Sequence, residues 1–123
     1  MGVVEATRLA MERAIEALDG RPDALLTDAL TLPDLELPCT SLIKGDQKSL
    51  SIAAASILAK VTRDRFMCHM DLLYPQYGFR AHKGYGTARH QAALHEFGVT
   101  PIHRRSFAPV RMVYRSRPQG SWR

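Results

Sequence analysis

The stretch SLSIAAASILAKVTRDRFMCHMDLLY, residues 49–74, carries neither glycine nor proline and stops at Pro75. It reads as one long helix, because proline restricts the residue before it and cannot itself continue the hydrogen-bond ladder. Ala53-Ala54-Ala55-Ser56 and Ala59 are small enough to let such a helix lie very close to a neighbouring sheet or helix. That is core geometry, and whatever fold the chain takes is built along it.

Two further helices are legible. Val4, Thr7, Met11, Ala14, Ile15 and Leu18 share one face at helical spacing over residues 3–18, with charges opposite and Gly20 as the candidate C-cap. Thr87 is a candidate N-cap for a helix over residues 88–97, closed by Gly98 and Pro101. Strands are scarcer. Ala24-Leu25-Leu26-Thr27 reads as a buried strand ending at Asp28, and residues 39–43 as a second short one. Residues 29–38, with Pro33 and Pro38, make a loop or hairpin-like excursion, and residues 77–87 a glycine-punctuated loop. Three good helices with only two short strands describe an α/β domain whose opening helix still needs a sheet to cover.

A chain of 123 residues fits one domain, and 46% hydrophobic with 24% charged residues fits a folded one. No stretch approaches the roughly 18–20 apolar residues that span a bilayer. The charged start is neither a signal nor a transit peptide, so the expected compartment is the cytoplasm, with no membrane partner. Cys39 and Cys68 lack the spacing of a zinc or redox motif and read as free thiols. The net charge of +5 is unevenly spread. No acid follows Glu96, whereas Arg104, Arg105, Arg111, Arg115, Arg117 and Arg123 do. A basic stripe of this kind suits a polyanion partner. For residues 111–123 the alternative is a flexible, solvated tail, so the expected organisation is a domain over 1–110 followed by that tail.

Asp28, after a strand, and Asp46, in Lys44-Gly45-Asp46 before the long helix, could converge at the strand ends where open α/β sheets bind ligands. Hard carboxylate oxygens there suit Mg²⁺ or Mn²⁺. Two aspartates alone are more readily read as turn and cap residues.

The surrounding strings are more specific. Lys44-Gly45-Asp46, the run from Ser51 to Asp64 (SIAAASILAKVTRD), His82-Lys83-Gly84-Tyr85-Gly86-Thr87, and Pro101-Ile102-His103-Arg104-Arg105-Ser106-Phe107 closely resemble, in order, the ribonuclease HII (type 2 ribonuclease H) family. The resemblance implies a ribonuclease H-like α/β fold, N-terminally truncated, with helices dominating the part present. It further implies an endonuclease cutting the RNA strand of RNA·DNA hybrids, and single ribonucleotides embedded in DNA, leaving 5′-phosphate and 3′-hydroxyl ends. In that family four carboxylates hold two divalent ions, Mn²⁺ or Mg²⁺. Asp28 matches the third and Asp46 the fourth; the first two, in an Asp-Glu-x-Gly-Arg-Gly motif, have no counterpart here.

The resemblance therefore implies the C-terminal part of the domain, inactive alone and monomeric when complete. The alternative is a nucleic-acid-binding remnant without catalysis. Bacterial members usually have Asp-Gly where this chain has Asp28-Ala29. Tyr85 matches the tyrosine that stacks at the ribonucleotide and senses its 2′-hydroxyl, flanked by Gly84 and Gly86, which would let the backbone come close; the alternative is a loop tyrosine packed on Phe79. Lys44, Lys60 and Lys83 are candidate phosphate contacts, or solvated surface lysines. Asp64 reads as a structural ion-pair residue, and His82 and His103 as structural histidines.

Overall fold

A computed structural model of the chain describes residues 2–116. Helix α1 (Val3–Glu16) opens with the Glu5 carboxylate accepting the N–H of Gly2 at 3.0 Å and places Arg13 in its last turn. Both charges oppose the helix dipole at the end they occupy. The helix closes at Ala17, whose N–H returns to Arg13, short of the expected end at 18. None of its residues is fully buried, and Val4 and Leu18, both on the expected apolar face, are exposed.

Strands β1 (Leu25–Asp28) and β2 (Cys39–Leu42) pair in parallel, with Leu25 opposite Cys39 and Asp28 opposite Leu42. The hairpin-like reading of residues 29–38 is thereby corrected. A parallel pair requires the chain to travel back to the starting end of the first strand before it re-enters the sheet. Leu32, 2% exposed, anchors that return path. The ladder continues past both ends, since the Leu25 N–H donates to the Pro38 carbonyl at 2.8 Å and the Ala29 N–H to that of Leu42 at 3.0 Å.

A single-turn helix α2 (Gly45–Lys48) follows, then the long helix α3 (Leu50–Leu73). Ser49 ends the first in extended backbone and starts the second, its Oγ accepting the Ile52 N–H at 3.4 Å. The helix stops two residues before Pro75, as the proline rule requires.

The chain divides into two compact units that part between residues 59 and 60, within α3. In the first unit Leu32, Ile52, Thr27 and Gly45 are buried. In the second, a 3₁₀ turn (Pro75–Tyr77) and a single-turn helix α4 (Phe79–His82) occupy what the sequence suggested was loop. They are hinged at Gly78, which sits at φ +73 where a side chain would be strained. Helix α5 (Ala88–Phe97) has the expected bounds. Thr87 Oγ1 accepts the His90 N–H at 3.3 Å, and Gly98 ends the helix at φ +85, ψ −164, a conformation reserved for glycine.

Helix α6 (Ala108–Ser116) runs through the expected domain boundary at 110. Val110 and Val113, three residues apart, are buried, and Arg111 and Arg115 lie on the exposed side. Residues 111–116, expected in a flexible tail, are therefore helical, since one apolar face is enough to dock them; the remainder of that tail lies outside the described residues. The core of this unit joins Met67 and Met70 of α3 to Tyr77, Phe79, Ala93, Leu94, Val110 and Val113. Tyr77 stacks on Phe79 at 5.4 Å between centroids and donates its hydroxyl to the Gly98 carbonyl at 2.8 Å. Among the described residues no helix is long and apolar enough to cross a membrane.

Two leucines with equal helix propensity separate packing from local preference. Leu94 is 0% exposed and Leu58 70% exposed. Leu94→Ala is expected to cost about 2–5 kcal/mol in a denaturant melt, and Leu58→Ala less than about 0.5 kcal/mol.

Candidate functional site

Asp28 occupies the last position of β1, opposite Leu42 near the end of β2. Its Oδ1 accepts the backbone N–H of Gly45 at 3.1 Å, so the carboxylate is tied to the residue immediately before Asp46. The parallel register makes this possible, because both strands deliver their carboxyl ends to the same side. Both aspartates are exposed, and neither has an ion-pair partner among the described residues.

The local backbone explains the residue types. Gly45 is buried, and a Cβ there would lie 2.7 Å from Ile52 Cδ1, so a larger residue would have to displace the buried Ile52 side chain. Lys44, which begins α2, adopts a left-handed φ of +53 and is exposed. Ala29, directly after Asp28, also adopts a left-handed φ of +60. That conformation costs a residue with a Cβ about 1–2 kcal/mol and costs glycine almost nothing. Asp-Gly is the relaxed version of the turn that Asp28-Ala29 makes.

Lys60, Lys83, Gly84, Tyr85 and Gly86 belong to the second unit. Lys60 is exposed on α3, and Lys83, at φ +54, turns its ammonium back onto the Arg80 carbonyl. Gly84 sits at φ +89, and a Cβ on Gly86 would lie 3.0 Å from Phe107. The ring of Tyr85 is not packed on Phe79: the residue is 67% exposed, beside a cavity of about 570 Å³ also lined by Arg63, Arg104 and Phe107.

Three histidines hold this loop, and the hydrogen bonds assign their protons. Gly84 donates its N–H to His82 Nδ1 at 3.1 Å, so the His82 proton is on Nε2, which donates to the Tyr77 carbonyl at 2.7 Å. Thr100 donates its N–H to His103 Nδ1 at 2.9 Å, so His103 carries its proton on Nε2 and donates to His90 Nε2 at 3.1 Å. His90 is left with Nδ1–H, which donates to the Tyr85 carbonyl at 2.8 Å. The rings of His82 and His90 stack at 4.4 Å. Burial, foremost, and repulsion from His90 and His82 push His103 down to about 4; burial also lowers His90.

The structural reading of His82 and His103 agrees with these bonds. His90 escaped the sequence reading, although it stands three residues after the Thr87 cap and so on the inward side of the first turn of α5. Asp64 forms no ion pair among the described residues; the pair present joins Asp71 and Arg80 at 3.7 Å. No three His, Cys, Asp or Glu side chains among the described residues gather where they could hold a metal ion. Asp28 at the end of β1 and Asp46 on α2 remain the candidate donors among the described residues: hard oxygens suited to Mg²⁺ or Mn²⁺, but too few to enclose one.

The sequence model of one family, described as Ribonuclease HII, matches residues 1–110. Proteins named Ribonuclease HII are similar to this chain across most of its length. One from Desulfitobacterium hafniense is 59% identical over 110 residues, which is 89% of this chain and 42% of that protein. One from Chloroflexus aurantiacus is 58% identical over 109 residues, 89% of this chain and 51% of its own length. One from Dehalococcoides mccartyi is 52% identical over 114 residues, 93% and 54% respectively. The chain spans about half the length of the curated relatives it matches.

Ala29→Gly is expected to raise stability by up to about 1 kcal/mol in chemical denaturation, since relief of the left-handed strain outweighs the added freedom of the unfolded chain. Acid should act on the second unit. An unfolded histidine titrates near 6.5 and folded His103 near 4. Between those values the unfolded state binds more protons. The stability due to this site is complete above about pH 6.5. It is lost as pH falls toward 4. The thermal midpoint should drop over that window, and less steeply in His103→Phe.

Proposed function

The chain belongs to the ribonuclease HII family, and from that premise we propose that it supplies part of a metal-dependent phosphodiester-cleaving site. The substrate is RNA paired with DNA, or DNA carrying single ribonucleotides, and the compartment is the cytoplasm. The observation that carries this reading is the pairing of two acids through backbone: Asp28 at a parallel strand's carboxyl end, tied by the Gly45 N–H to the segment bearing Asp46. Both carboxylates are exposed and have no cationic partner among the described residues, which leaves their hard oxygens available to divalent ions.

Asp28 and Asp46 would hold two divalent ions, Mn²⁺ or Mg²⁺, together with the Asp-Glu pair that the resemblance assigns to the family. When bound, such ions activate water and neutralise charge on the leaving oxygen. The remaining tasks fall to this chain's own residues. The Gly45 N–H fixes the orientation of Asp28 and takes up one of its oxygens, leaving the other toward solvent. Lys44, Lys60 and Lys83 neutralise phosphates of the duplex. Tyr85, with Gly84 and Gly86 allowing close approach of the backbone, stacks at the ribonucleotide and reads the 2′-hydroxyl, the group by which RNA differs from DNA. No covalent nucleophile is needed.

A second reading, a nucleic-acid binder without catalysis, is favoured by the presence of only two candidate carboxylates. One experiment separates them. The chain is joined to the segment of the Desulfitobacterium hafniense relative that precedes the matched part, and offered a duplex with one embedded ribonucleotide. Metal-dependent incision is expected, and Asp28→Asn should reduce it on the order of a hundredfold or more while duplex affinity holds. Undiminished cleavage by Asp28→Asn would sink the metal-ligand role. Cleavage by the 123-residue chain alone would sink the requirement for four carboxylates.

A further inference from the structure

The Gly84-Tyr85-Gly86 backbone is held from α5, by His82 and by its own turn, in which the Tyr85 N–H donates to the His82 carbonyl and the Tyr85 carbonyl accepts the Thr87 N–H, both at 2.9 Å. His90 donates to the Tyr85 carbonyl at 2.8 Å, Gln91 Nε2 to the Gly86 carbonyl at 2.9 Å, and His82 Nδ1 accepts the Gly84 N–H at 3.1 Å. The Tyr85 ring meanwhile stands out at 67% exposure. A tyrosine that stacks on a nucleotide needs this division, with a fixed backbone and a free ring, because stacking to an unfixed loop costs the entropy of ordering it.

While neutral, His90 can donate to Tyr85 only from the tautomer whose Nε2 accepts. That acceptor role is met by His103, whose own Nδ1 receives the N–H of Thr100 at 2.9 Å and the Thr100 hydroxyl at 2.9 Å. We propose that His90 and His103 are positioning residues, a two-imidazole relay that holds the Tyr85 segment ready to read the ribonucleotide and lets it go when either ring takes up a second proton. The proposal rests on the role given to Tyr85 under the proposed function. A second proton on His90 would set N–H against N–H at His103, and one on His103 would evict the Thr100 donors.

The surroundings favour the neutral state. The charged groups lining the adjoining cavity are Arg63 and Arg104, the stacked neighbour is His82, and Tyr77 lies 5.1 Å from His103, with no carboxylate in the lining. The downward shifts of both histidines agree with that arrangement.

Long-range ¹H–¹⁵N spectra of the 123-residue chain test the relay without nucleic acid. Near neutral pH, His103 should carry its proton on Nε2 and His90 on Nδ1. On acidification the amide signals of Gly84, Tyr85 and Gly86 should shift with the same midpoint as the two rings. The opposite tautomers, or loop signals that ignore the ring titration, overturn the proposal. A second arm compares, by fluorescence anisotropy, binding to a duplex with one ribonucleotide and to its all-DNA counterpart. His103→Phe should lower that preference by about tenfold while leaving all-DNA affinity in place. An unchanged preference in a folded variant also overturns it, and if the variant does not fold, the wild-type titration decides. Spectra as expected from a wild-type chain that does not distinguish the duplexes support the positioning of the segment and overturn the reading of Tyr85 instead.

Discussion

The parallel register of two four-residue strands is the constraint on which the first unit depends. Antiparallel pairing would send the end of β1 and the end of β2 in opposite directions, separating Asp28 from the Lys-Gly-Asp turn. In parallel they arrive together, and the Ala29 N–H, bonded to Leu42, extends the ladder just far enough to fix the turn after Asp28. The two residues that shape this junction differ in kind: Gly45 is buried where a Cβ would meet Ile52, and Ala29 stands in a left-handed region that glycine occupies more comfortably. Both sit within one residue of a carboxylate, as expected where geometry at a site outranks local preference.

How much of this was legible in the sequence follows from which interactions are local. Helix α5 was readable to the residue because its determinants, the Thr87 cap and Gly98 terminator, lie within the segment they bound. The long helix was readable because Pro75 ends it. The pairing sense of β1 and β2 was not, since a four-residue strand has the same composition in either sense and the choice is made by the return path through Leu32. The single-turn helices beside Gly78 were hidden for a related reason: one turn is too short to show a period, and the glycines that punctuate it also mark loops. The tail was read as flexible because Pro118 and Gly120 stand further along it, although Val110 and Val113 supply the apolar pair that docks α6.

The candidate site divides in the same way. Asp28 and Asp46 were visible as acids at the ends of elements, and only the ordered strings around them raised that pair above two turn residues. Tyr85 was singled out by the resemblance, with its flanking glycines in keeping. His90 was not, because a histidine on a helix is unremarkable until its neighbours are known, and they come from residues 85 and 103, one on each side of α5. Asp64, read as an ion-pair residue from its place deep in the long helix, forms no ion pair among the described residues, and its flanking arginines at i±1 point away from it.

Why histidine stands at the centre of the second unit follows from the charge of its surroundings. The segment to be held lies near Arg63 and Arg104 and offers a carbonyl, so the holding group must donate, stay uncharged in a partly buried position and be oriented by something behind it. A lysine or arginine would add buried positive charge beside two arginines, and a carboxylate would lack a proton to give and would repel a polyanion. A serine or threonine hydroxyl donates but reaches too short a distance across a helix turn. Imidazole donates from one edge and accepts at the other, so two in series carry orientation from the Thr100 backbone through His103 and His90 to the Tyr85 carbonyl without placing a net charge between them.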